Sequence, residues 1–225
     1  MEASDNEQYF FNFSFFKLDS KWRWMADLAK EESAKEVENV IINSGIKFRS
    51  YSTLGLRDDA DFLFWFAAES VDEIQNVISK LYLTVFGKYI TPSHAYLSCT
   101  RPSTYARKGT PSSFVVGNEP KKFVIVYPFT KTREWYLLPQ EQRQKMMDQH
   151  INVSEKYPQV TLNTTYSFGI GDQDFMLAFE CDNLQDFQNL IMDLRQIKVS
   201  AYIAVDTPMI VCAKKDIVPL ITSLG

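Results

Sequence analysis

Histidine and cysteine are scarce in this chain of 225 residues: there are two of the first and three of the second. Cys99, Cys181 and Cys212 are odd in number and stand in no metal-ligand spacing, so they read as free thiols of a reducing cytoplasm. Zinc asks for three or four protein ligands, and the clustered Cys and His residues it would need are missing. Long apolar runs are missing too: none approaches the ~18 residues of a membrane span. An excess of basic charge is absent. Lysine and arginine number 24 against 28 aspartates and glutamates, for a net charge of -4, which argues against a nucleic-acid partner. The polar, acidic start Met1 to Asp5 does not read as a signal peptide. The expected setting is therefore cytoplasmic, away from membranes.

Aromatic residues, in contrast, make up 14% of the chain and hydrophobic residues 45%, enough for a well-packed core. The sequence also repeats itself. Leu54 to Phe66 matches Phe168 to Phe179 with a single gap, and Val71 to Ile78 matches Leu184 to Ile191, both displaced by about 113 residues. Upstream, Phe13 to Lys17 is aligned with Tyr127 to Lys131, which pairs Lys17 with Lys131. Each copy reads strand, helix, strand, strand, helix, strand.

In the second copy, Phe123 to Tyr127 is a short apolar strand, and Pro139 opens a helix running to about Tyr157. Thr161 to Ser167 and Asp174 to Glu180 read as strands about a glycine turn, and Met209 to Cys212 as a last strand. Leu184, Phe187, Leu190, Ile191 and Leu194 recur at helical spacing. The fold class expected is α+β: two tandem ferredoxin-like βαββαβ repeats packed sheet on sheet as a dimeric barrel. The boundaries are 1–110 for the first repeat, 111–120 for the linker and 121–225 for the second repeat.

Met146, His150, Val153 and Tyr157 form one stripe of the helix after Pro139. A lone histidine there is either a core residue satisfied by one hydrogen bond or the axial ligand of a haem. A porphyrin supplies four nitrogens and needs only one side chain more. With a displacement of 114, the first copy carries Glu36 opposite His150, so packing alone does not demand histidine. Tyr127 and Lys131, four residues apart around Pro128, could be a surface pair, or a phenol and an ammonium beside a porphyrin edge.

The pattern Tyr-Pro-x-x-Lys from Tyr127, Trp-Tyr-x-Leu-Pro from Trp135 and Met-Met-x-x-His from Met146 resembles the chlorite dismutase-like haem proteins, a superfamily that includes the coprohaem decarboxylases. The likeness runs on through Tyr157-Pro158, Phe168 to Asp172 and Ala95 to Ser103. It implies haem in the second repeat only, as haem b or coprohaem, and a closed homo-oligomeric ring, usually a pentamer. By the same resemblance His150 is the proximal iron ligand and Met147 helps hold the cofactor. Tyr127 is then the tyrosine whose radical takes hydrogen from a propionate, and Lys131 is its proton donor. The activity implied is peroxide-driven oxidative decarboxylation of coprohaem to protohaem. The alternatives are a haem peroxidase, a chlorite dismutase-like enzyme, and a non-catalytic carrier or sensor.

Asn163, thirteen residues after His150, is expected over the distal face, where chlorite dismutases carry arginine. The linker supplies no histidine, and Lys198 falls where the family usually has a glutamate beside the proximal imidazole.

Overall fold

The computed structural model describes residues 8–103, 105, 114–115 and 117–225. The expected linker 111–120 therefore lies partly outside the described residues. The chain divides into two compact units, Met1–Cys99 with Val211–Gly225, and Thr100–Ile210.

The first unit runs β1 (Phe10–Leu18), α1 (Asp27–Ser44), β2 (Lys47–Ser52), β3 (Phe62–Ala68), α2 (Val71–Leu83) and β4 (Ile90–Cys99). Its antiparallel sheet has the order β4-β1-β3-β2. Phe16, Phe62, Phe64 and Phe66 meet Ala34, Val37 and Ile41 of α1 and Val77 and Leu81 of α2 in one core. Each of the buried Phe, Val, Ile and Leu side chains stabilises the unit by about 1.5–3 kcal/mol. α2 starts in a capping box in which Ser70 and Glu73 satisfy one another's backbone N–H groups.

The second unit runs β5 (Phe123–Lys131), α3 (Arg133–Leu137), α4 (Gln140–Ser154), β6 (Thr161–Tyr166), β7 (Phe175–Cys181), α5 (Leu184–Arg195) and β8 (Ile203–Val205). Its sheet is also antiparallel, ordered β6-β7-β5-β8. The short helix α3 lies between the strand and the helix that the sequence opens at Pro139. Thr132 caps it, its hydroxyl accepting from the Trp135 N–H.

The segment from Val211, with most of β9 (Ile210–Lys214) and all of α6 (Ile217–Thr222), belongs with the first unit rather than the second. β9 pairs with β2 through Tyr51 and Ser52, and Ile217, Leu220 and Ile221 complete the first unit's core. The C-terminal boundary read from the repeat is shifted by this exchange.

Both units have the ferredoxin-like element order, and their registers fix the correspondence between them. Phe10 pairs with Ala68 and Phe123 with Cys181, a displacement of 113 on both strands. Asp61 accepts from the Leu18 N–H at 2.8 Å, and Asp174 accepts from the Lys131 N–H at 2.9 Å. The counterpart of Lys131 is thus Leu18, not Lys17. Lys17 makes its own ion pair with Asp61 at 3.0 Å.

Candidate functional site

Side chains alternate along a strand, so β5 presents Ile125, Tyr127 and Phe129 on one face and Val124, Val126 and Pro128 on the other. The register brings Leu177 and Phe179 of β7, then Leu162 and Thr164 of β6, onto the Tyr127 face. That face looks towards the helices, because Phe179 meets Phe187 of α5 with ring centroids 5.2 Å apart. Tyr127 is buried and stacks on Phe179 at 5.9 Å, with only 7° between the rings. Burial raises its phenol pKa well above the ordinary value, so the side chain is a neutral phenol.

α4 and α1 both begin 113 residues apart, at Gln140 and Asp27, which makes Val37 rather than Glu36 the counterpart of His150. In the first unit Ala34, Val37 and Ile41 are buried to 4% exposure or less. Their counterparts Met147, His150 and Ser154 are only half-buried, and Leu162, across from them on β6, is 41% exposed. α4 thus stands off its sheet. It leaves a cleft of about 360 Å³ whose walls include Tyr105, Met147, His150, Ile151, Val160 and Leu162. The first unit closes the same space with α6, and the described residues of the second unit have no such helix.

The His150 pKa is lowered to about 4, first by burial and then by the positive charge of Lys131. Its imidazole is therefore neutral near pH 7, the form that binds metal. Among the described residues the ring has no hydrogen-bond partner. Lys131 is itself lowered to about 8 by burial. Its Nζ lies 4.6 Å from the centre of the Trp135 ring and 5.2 Å from that of Phe129. Tyr127, Lys131 and His150 thus share one side of the sheet. Met147 and His150 line the cleft, while Tyr127 and Lys131 are not part of its wall.

Asn163 is not brought to this group. It belongs to the opposite face of β6, where its Nδ2 donates to Glu180 Oε1 at 2.8 Å and to the Ala178 carbonyl at 3.4 Å. A step of one residue along a strand reverses the face, and Leu162 is the neighbour that faces the His150 side. Lys198 is exposed at the start of a 3-10 turn, while the next residue, Val199, packs with Trp135 and Met146. The other histidine, His94, is in the first unit, where Nε2 lies 3.1 Å from Asp59 and the ring stacks on Tyr96.

Sequence reasoning missed Leu162 and Tyr105. The pleat could have found Leu162, once the register of β6 was known. Nothing in the local sequence marks Tyr105, which reaches the cleft from the connecting segment and receives a hydrogen bond from Arg143 Nη1 at 3.1 Å.

The sequence matches the family model described as chlorite dismutase over residues 29–215. The chain belongs to the chlorite dismutase family. Within this family, a curated coproheme decarboxylase of Mycolicibacterium smegmatis is 33% identical over 175 residues, 77% of this chain and 75% of the relative. The chlorite dismutase of Candidatus Nitrospira defluvii, solved in complex with imidazole, superposes with a TM-score of 0.88 at 25% identity, covering 98% of this chain and 96% of that one. A single-site mutant of the same dismutase gives 0.86 at 25% identity, over 96% and 94%.

Chlorite dismutase family members are haem-dependent enzymes, and so is this protein. Its second unit fits a haem: a cleft between helix and sheet, apolar walls from Met147, Ile151, Val160 and Leu162, and one neutral imidazole. No group of three or more His, Cys, Asp or Glu among the described residues could hold a metal ion alone. A porphyrin, which brings its own four nitrogens, has no need of one.

Proposed function

We propose that this protein decarboxylates coprohaem oxidatively with peroxide, converting propionate side chains to vinyl groups and releasing carbon dioxide. His150 is the proximal iron ligand in this reading, and Met147 packs against the porphyrin. The observation that carries it is Tyr127: a buried neutral phenol on the His150 side of the sheet, with the Lys131 ammonium on the same strand. The kinship to a coproheme decarboxylase at 33% identity supports the same choice.

The chemistry balances. A propionate loses carbon dioxide, one proton and two electrons as it becomes a vinyl group. Hydrogen peroxide takes up two electrons and two protons and becomes two waters. Bound haem supplies the activation of the peroxide. Tyr127 can release an electron and a proton together, regenerating itself by taking a hydrogen atom from the propionate carbon next to the ring. Lys131, lowered to about 8, is poised to hand over or take back a proton near neutral pH. Leu162 leaves β6 without a cation facing His150, which disfavours chlorite and other anionic oxidants relative to neutral peroxide. The same reading includes assembly into a closed ring of identical subunits, which light scattering would measure.

The test is turnover of coprohaem with measured additions of hydrogen peroxide, followed by mass analysis of the porphyrin. Each step should remove the elements of carbon dioxide and dihydrogen. Intact coprohaem after peroxide is consumed would refute the decarboxylase assignment.

A further inference from the structure

Lys131 is placed strangely for a residue whose only task is to donate a proton. Among the described residues its ammonium meets no carboxylate; it lies over the Trp135 indole at 4.6 Å and beside the Phe129 ring at 5.2 Å. Trp135 is only 2% exposed, and it is the hub of an aromatic cluster: Tyr202 lies 5.6 Å from it and Tyr105 lies 6.2 Å from it, centre to centre. Both tyrosines are half-buried, so the cluster leads outward from β5. Four residues of strand separate Tyr127 from Lys131, roughly 13 Å, and the ring of Phe129 lies on the same face between them. Indole is among the side chains most easily oxidised, and nothing in this packing insulates it from a phenoxyl radical formed nearby.

We propose that Lys131 guards the oxidising equivalent: its ammonium, held against the Trp135 ring, opposes removal of an electron from that indole and so keeps the hole on Tyr127. The inference rests on the peroxide-driven reading above. The physics is direct. A cation over the face of a neutral aromatic ring is attracted by its quadrupole, but it repels the positive charge that appears when the ring loses an electron. The site is poorly solvated, since burial lowers the amine to about 8, yet the group is still mostly charged at pH 7. The reaction being prevented is transfer of an electron from the Trp135 indole to the Tyr127 phenoxyl radical: a proton from water re-forms the phenol, and an indole radical cation is left against the Lys131 ammonium. The second oxidising equivalent of the same peroxide, with a water as the oxygen source, then fixes the loss as hydroxytryptophan; in sum, tryptophan plus hydrogen peroxide gives hydroxytryptophan plus water.

The test compares the wild type with Lys131→Met, which keeps length and removes charge, and Lys131→Arg, which keeps charge. Each is loaded with coprohaem and given the same peroxide, then examined by peptide mass mapping and by electron paramagnetic resonance of frozen samples. Lys131→Met should carry about tenfold or more oxygenated Trp135, with a tryptophan-type radical signal, while Lys131→Arg stays near wild type. The radical signal should vanish in Lys131→Met combined with Trp135→Phe. Equal Trp135 oxidation in all three proteins would overturn the guard, whether or not protohaem forms. Failure of the function reading looks different: the wild type then makes no protohaem, and Trp135 oxidation still follows the charge at position 131.

Discussion

Val37 and His150 hold the same position in the two repeats, the eleventh residue of the first long helix in each. Val37 is sealed into a core and His150 lines an open cleft. A duplicated fold has thus kept one helix–sheet interface as a core and opened the other, and the residue at the centre of the opened one is the one histidine of α4.

His150→Val repeats the first unit's choice, so the protein should remain folded. Its melting point without porphyrin should correspond to a stability within about 1 kcal/mol of wild type. Coprohaem affinity should fall by more than the ~10–100-fold typical of losing an outer-shell partner of a metal ligand. Absorption titration with coprohaem would measure this. Retention of the wild-type Soret band in the variant would remove His150 from the iron.

The lowered pKa of His150 has a consequence for stability. An unfolded histidine titrates near 6.5 and the folded one near 4, so between these values the unfolded chain binds more protons. The stability tied to the neutral ring is complete above pH 6.5 and is lost as pH falls through 4. The loss is on the order of 2–3 kcal/mol by linkage. Thermal melts of the porphyrin-free protein from pH 7.5 to 4 should show the wild type losing ground against His150→Ala across that window. Parallel curves would mean that the imidazole is solvated.

Much of this was legible in the sequence, and the failures have physical causes. The duplication, the α+β element order and the helix after Pro139 follow from hydrophobic periodicity and internal repetition, whereas the grouping of Tyr127, Lys131 and His150 rests on the family resemblance. The pairing of Lys17 with Lys131 missed by one residue, because a single-residue gap in the glycine turn was carried past the strands that do not contain it. Only hydrogen bonds such as those of Asp61 and Asp174 reveal the true register. Asn163 missed for a related reason: counting from a helix into a strand cannot tell which face a residue takes. The exchange of the C-terminal segment into the first unit is a long-range pairing with no local signal.

Leu162 and Asn163 should separate cleanly in experiment. Leu162→Arg places a cation on the His150 side, and azide or chlorite should bind the haem-loaded variant about tenfold or more tightly than wild type, a gain of about 1.4 kcal/mol. Asn163→Ala should leave azide affinity and coprohaem binding unchanged while lowering stability by about 1–3 kcal/mol, because the buried Glu180 carboxylate loses the amide at 2.8 Å. Spectral titration and chemical denaturation read the two effects. A strong change of anion affinity in Asn163→Ala would return that residue to the haem pocket.

Tyr127→Phe isolates the chemistry from the architecture. The ring is buried and stacked on Phe179 at 5.9 Å, and phenylalanine preserves both the volume and the stacking. Only the hydroxyl is lost. A phenol can give up an electron and a proton in one event, whereas a benzene ring has no acidic proton to surrender and is much harder to oxidise. Coprohaem should therefore bind Tyr127→Phe within about twofold of wild type, since uniform binding does not depend on the hydroxyl. Carbon dioxide release should fall by at least about a thousandfold, corresponding to about 4 kcal/mol or more of lost transition-state stabilisation. Peroxide consumption should continue, because His150 and the porphyrin remain. If the variant forms protohaem at the wild-type rate, the hydrogen atom is taken by another group, and Trp135, buried beside Lys131, becomes the side chain to replace next.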